Sequence, residues 1–546
     1  QAISGTEVGA YSVAGSLATN SKAQTEAPSG SDSSTQSGKS GAGSGKFGIA
    51  VSADAAYNEI TANTTAAITD GANIAQGTDV AVTATNDLAL NALAGAVTIS
   101  TQANGNGLAG SFAYNELGGS TSAYIDGATL RNTGTTKVEA TVDGEIKTLS
   151  ASVQASRGKL GVAGSVSINE IAHATQAYLR GADVSGTSGV TLSARDSAAI
   201  RSVAGAIAFG GKAGIGLSFG WNHIDNRISA FMEGSDVNAA GAVTVSALSN
   251  ATIDTIAASL GASSGQMAGA AAVAINQIDT QTTARVEGQK TGAGLDAASL
   301  SVSASDESDI NSIVGALGAS TGKVGFGVSF AWNDIGSQVH ASLVSPNLST
   351  TGLISVSATH DGDIETYAMA GGGAAKVGAS GSLAINDITT QLSATTQGGR
   401  VTASAVDVKA QERARIFAAT GALSGGGTAA VGASGSYNHL SGNVLAQVAG
   451  GRVTAQSGSV TVQALRTGEV EVWAASGSGG GTAGFAGSIA INDIGGGTTA
   501  RVSQGAQVQA QGNVKVAAQA DDRIEARAGT VSLGGTVGGG GAIAIN

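Results

Sequence analysis

The sequence reads as an all-β protein, an elongated parallel β-helix (β-solenoid), and three observations predict that fold. One motif returns along the whole chain: a large apolar residue, Asn, a mostly polar residue, then Ile or Leu, as in YNEI at Tyr57, WNHI at Trp221 and INDI at Ile385. Its asparagines are Asn58, Asn115, Asn169, Asn222, Asn276, Asn333, Asn386, Asn438, Asn492 and Asn546, spaced 57, 54, 53, 54, 57, 53, 52, 54 and 54 residues apart. A steady period of this size marks a repeat architecture, in which each unit completes the core of its neighbour. Large side chains are scarce as well, with 3% aromatic residues, 3 Met and 84 Gly among 546. Such a chain cannot fill several globular cores, and Gly at this density disfavours helix by about 1 kcal/mol per occurrence relative to Ala. Finally, each unit alternates polar and apolar residues at period two, the pattern of strands with one buried face.

The unit between Asn276 and Asn333 predicts four strands. Thr282–Val286 and Ser299–Ala304 alternate clearly. Ile310–Leu317 and Val324–Trp332 are richer in Gly and Ala and more continuously apolar, as in strands covered on both sides. A Gly and Ser turn joins the last two, and its counterpart GGKAG at Gly210–Gly214 suits positive φ. The segment Gly181–Ala194 resembles Gly205–Phe219, so each repeat of about 54 residues is expected to form two rungs of about 27. At ~4.8 Å per rung, ten such repeats would make a rod on the order of 100 Å. The expected organisation is one continuous array over 1–546, with repeats ending near the marker asparagines. A flexible Ser- and Gly-rich insertion holding Pro28 interrupts it at 21–45, and Pro346 marks a second enlarged turn. From Ile168 to Ile491 the residue before Asn runs Ile, Trp, Ile, Trp, Ile, Tyr, Ile, a doubled period that pairs aliphatic with aromatic units.

Two sets of residues are candidates for a special role. Tyr114, Trp221, Trp332 and Tyr437 form an aromatic row, expected to fill a core or a seam between units; its functional alternative is an exposed row that stacks on sugar rings. The marker asparagines are expected at strand corners, bonding backbone groups where the chain bends. The position after Asn varies as Glu59, Glu116, Glu170, His223, Gln277, Asp334, Asp387, His439 and Asp493, a list no repeated metal site would tolerate. It leaves room only for Ca2+ held locally by a few carboxylates; no cofactor is expected.

No nucleophile elbow, HExxH helix, phosphate loop or dinucleotide fingerprint is present, so no catalytic residue is assigned and the chain reads as a non-enzyme. His173, His223, His340, His360 and His439 are scattered and read as surface residues; Asp306, Glu307, Asp309, Asp521 and Asp522 read as turn residues. A net charge of −12, spread thinly, disfavours nucleic acid. The absence of Cys suits either a cytosolic protein or one exported unfolded through a narrow pore, and the rest of the sequence favours export. No segment is long and apolar enough for a membrane helix, and no aromatic girdle announces an outer-membrane barrel. The opening QAISGTEVGA carries no leader, so the sequence is expected to be a stretch of a longer exported protein.

The unit TTARVEG, a VSVSA-type strand, an AGA-rich strand, a Gly turn and AINDI resembles the repeats of giant Gram-negative surface proteins. These are the filamentous-haemagglutinin-like adhesins of two-partner secretion, leukotoxin-like repeat proteins and biofilm-matrix adhesins. The resemblance is one of repeat style and spans the chain. It implies a right-handed β-helical shaft on the bacterial cell surface, secreted through an outer-membrane transporter and mediating cell–cell, host or matrix attachment. Binding to a polysaccharide or receptor would lie outside these residues. A self-assembling extracellular filament or sheath is the alternative; an ice-binding or polysaccharide-active solenoid fits less well.

Overall fold

Each unit contributes one strand to each of three parallel sheets. The computed structural model describes residues 1–18, 49–288, 294–345 and 347–546; the insertion at 21–45 and Pro346 lie outside them. In a representative unit a long strand, Ser299–Ser320, turns into a second, Val324–Val344. A short strand, Asn347–Thr350, leads to the next unit's first long strand, Leu353–Ala374. The two long sheets hold ten strands each and the short sheet nine, and neighbours are always successive units. Ile310 accordingly pairs with Ile364, and Asn333 with Asn386.

The parallel β-solenoid is therefore present, but with one wide rung per repeat rather than two. The halves of a unit resemble one another because they are the facing walls of a single rung. Three of the four segments predicted in the unit fuse into longer strands: Ser299–Ala304 and Ile310–Leu317 are one strand running through Asp306, Glu307 and Asp309, and Val324–Trp332 continues to Val344. Thr282–Val286 closes the long strand of the preceding rung, Met267–Glu287. Ten rungs at ~4.8 Å stack to about 48 Å, whereas a 21-residue strand at ~3.3 Å per residue extends about 70 Å. The array is a slab broader than it is tall, not a rod of 100 Å.

The interior is layered along the strands. At one edge all three sheets enclose a Val and Leu core, exemplified by Leu300, Val302, Leu343 and Leu348. Next comes a buried polar layer containing Asp306, then a layer of Ile and Leu such as Ile310 and Ile335. The marker asparagines follow. Beyond them the sheets converge on small residues, such as Ala272, Ala316 and Ala331, to form a thin wing that ends in the Gly and Ser turns.

Glycine has two distinct uses. The corner between the second long strand and the short strand turns through left-handed backbone, at Gly181 (φ 56°) and Gly234 (φ 56°), at the pairs Asp70–Gly71 and Gln504–Gly505 and, without glycine, at Ser345. The wing-tip sequence Gly210–Gly214, expected to need positive φ, does not adopt it. Its glycines answer to crowding instead. A Cβ on Gly214 would overlap the Ala262 carbonyl, and one on Gly325 the Gly373 carbonyl, because the facing backbones nearly touch.

Candidate functional site

Because the marker asparagines sit on the second long sheet with side chains inward, they lie mid-strand and not at corners. Their amides form one axial ladder: Asn58 Nδ2 donates to Asn115 Oδ1, and so on through every unit to Asn546, at 2.7–2.9 Å. The facing sheet completes it. Asn115 also donates to Thr148 Oγ1 (2.8 Å), whose hydroxyl donates to Asn169 Oδ1 (2.6 Å). Thr255 and Thr366 repeat this bridge. Between these threonines the same column holds Ser202 and Ser312. The doubled period seen outside as aromatic and aliphatic units thus has an inner counterpart of Thr and Ser. Within the ladder each bridged amide has side-chain partners on both sides, which offsets the cost of burying it.

A second inner column is charged. Asp196, Asp306, His360, Glu412 and Arg466 are all buried on the first long sheet. Thr175 and Asn226 donate to Asp196, and burial still raises its carboxyl to about 7. Asp306 accepts from Thr280 and Ser308, and His360 Nε2 lies 3.6 Å from it. Burial lowers the His360 pKa, against the opposing pull of Asp306. Glu412 is pushed up to about 7 by burial, with Arg466 opposing. His173, buried, is lowered to about 4. The surface placement expected for His173 and His360 and the turn placement expected for Asp306 are therefore wrong: both histidines and Asp306 fall on inward strand positions. An Asp–His–Thr set exists at Asp306, His360 and Thr390, but its Asp and His side chains are fully enclosed, and no substrate can reach them.

The aromatic row faces outward. Tyr57, Tyr114, Trp221, Trp332 and Tyr437 occupy one column, alternating with Ile from Ile168 to Ile491, after which Ile545 breaks the series. Trp332 is 43% and Tyr437 41% exposed, while Tyr114 and Trp221 are half-buried. The core-filling role expected for these rings is overturned, because a residue beside an inward Asn must point outward. Tyr57 and Tyr114 stack with centroids 5.0 Å apart. The position after Asn is the neighbouring outward row. Tyr57 donates to Glu59 and Tyr114 to Glu116, a bond that pushes the Tyr114 phenol up to about 12. His223 lies 3.4 Å from Asp279 and 3.9 Å from Glu170. Partial burial, and then the neighbouring Asp387 and Asp279, lift Asp334 to about 6. Among the described residues no three His, Cys, Asp or Glu side chains converge as a metal ion would require.

A matching row escaped the sequence reading. On the first long sheet Tyr11, Leu93, Leu149, Val203, Ile256, Ile313, Tyr367 and Trp473 share one outward column, with Ala419 between the last two. Here too the polar ends reach toward charge: Tyr367 donates to Glu365 and Trp473 Nε1 to Glu471. No motif marks these positions, and only the register aligns them. No family model matches the chain, and neither a curated protein nor a solved structure is significantly similar to it.

Proposed function

We propose that this array is the structural shaft of a secreted bacterial surface adhesin, holding attachment functions away from the cell. The observation that carries the reading is the unbroken stack, ten strands deep in both long sheets and locked along its axis by the asparagine ladder. Each rung leans only on its neighbours, so the stack extends by duplication and resists bending. The full enclosure of the Asp–His pair supports a scaffold role for those two residues. The repeat style resembles that of large Gram-negative adhesins, which supports an extracellular place. Electron microscopy of the purified chain tests the reading: discrete, stiff particles are expected, and periodic open-ended polymers would replace the shaft with a filament subunit.

A further inference from the structure

The wing, the thin half of each rung beyond the asparagine ladder, has inverted polarity. Inside it are Ala, Ser and Gly; outside it are Leu, Ile, Val and Phe. On the second long sheet the four outward columns that pass through Leu108, Gly110, Phe112 and Tyr114 contain no charged residue, and their only polar atoms belong to rings. On the first, the columns through Leu93, Gly95, Val97 and Ile99 hold a single charge, Arg527. Ile313 and Leu317 are each 48% exposed, Val328 47%. Both faces of the slab are apolar here, far beyond the few hundred Å2 that a soluble monomer ordinarily leaves bare.

We propose that this wing inserts into a lipid bilayer. The proposal stands whether or not the array is an adhesin shaft. Four observations choose lipid over any other cover. The first is width: eleven residues separate Lys159 from Glu170, Lys323 from Asp334 and Lys376 from Asp387. At ~3.3 Å per residue this is about 36 Å between charges, bracketing a hydrocarbon layer of about 30 Å. The second is the sorting of rings. All three Trp, and Tyr11, Tyr57, Tyr114, Tyr367 and Tyr437, occupy the columns that border the charged rows, whereas Phe112, Phe219 and Phe330 lie one step deeper. Amphipathic rings at the margin and plain apolar ones within is the arrangement a membrane interface selects. The third is charge: the described tip turns carry Arg157, Lys159, Lys212, Lys323 and Lys376 and no acid, a complement to lipid phosphates. The last is backbone. Consecutive tips bond to one another, Gln266 N to Lys212 O (2.7 Å) and Lys323 N to Gln266 O (3.0 Å), and every strand between the two terminal rungs pairs on both sides, so the inner rungs leave no ladder group bare to hydrocarbon. A second copy would account for one apolar face but for neither the ring margin nor the cationic tips.

The test is flotation of the purified 546-residue chain with phosphatidylcholine vesicles and with vesicles containing phosphatidylglycerol. Tryptophan emission is read alongside, using lipids brominated at defined depths. The wild type is expected to float, more completely with anionic vesicles, and its emission to shift to the blue and be quenched best by shallow bromines. Ile313→Glu with Val328→Glu, both outward and free of inner contacts, should cut flotation at least tenfold with the strand circular dichroism unchanged. Ser301→Glu, outward at the thick edge, should float as the wild type does. Lys212→Glu with Lys323→Glu should abolish the anionic preference. If the wild type stays in the aqueous phase with every vesicle, or sediments as oligomers that Ile313→Glu dissociates, the wing packs against a second copy and the membrane proposal fails.

Discussion

Asn333 shows how much one side chain holds. It accepts from Asn276 and donates to Asn386 and Thr366, entirely buried. Asn333→Asp keeps the shape but loses the donor and sets a carboxylate against the Asn386 carbonyl oxygen. We expect it to destabilise the array by more than the roughly 1–3 kcal/mol of an ordinary unsatisfied buried group, and by more than Asn333→Ala, as read by thermal melts. Asp196 gives a pH signature. Its folded pKa of about 7 lies above its unfolded value, so its protonated form supports the fold at low pH and stability is lost as pH rises through 7. Between pH 5.5 and 8 the loss should be about 2 kcal/mol, at ~1.4 kcal/mol per pH unit up to the pKa. Asp196→Asn should make that slope shallower by the share Asp196 supplies, while Glu412, raised to the same range, keeps its own; an unchanged slope would show that Asp196 does not contribute. His173, held near 4, acts oppositely, subtracting stability as pH falls below about 6.5.

Among elements the wing is the most constrained. Gly325 and Gly381 both lie on the second long sheet, one inward and one outward. Gly325→Ala would drive a Cβ into the Gly373 carbonyl, whereas a Cβ on Gly381 meets nothing. The first substitution should cost at least the ~1–3 kcal/mol of an overpacked core, the second almost nothing, by parallel denaturant titrations. The sequence made the strands legible where Val and Ile alternate with Ser, as in Ser299–Ala304. It did not do so in the wing, where Gly, Ala and Ser on one side blur the period. The direction of Trp221 was readable in principle, since it follows from where Asn222 points, but an Asn looks equally at home at an exposed corner. The charged column was hidden for the same reason: Asp306 in SASDESD resembles a turn until register places it inside.

For the whole molecule, the repeat and its count were plain in the marker spacing, while rung number was not, because half-unit similarity fits stacked rungs and facing walls alike. Register decides for facing walls. Removing one complete unit, residues 277–333, should shorten the stack by about 4.8 Å and leave its breadth unchanged, as measured by small-angle scattering or electron microscopy. A shortening near twice that value would restore the two-rung arrangement.

Every amide in the asparagine ladder points the same way, its N–H toward the later rung, from Asn58 as first donor to Asn546 as last acceptor. The stack is therefore vectorial. A completed rung holds out the N–H bonds of its Asn, which the Asn carbonyl and, in several units, the Thr hydroxyl of the following rung accept, as a template for that rung. A chain delivered N-terminus first would find at each step a surface that recognises only the next register, since a slip of one residue would turn the Asn outward and leave the template's donor bare. Assembly would then proceed as a zipper closing in one direction, each tooth checked by the one before.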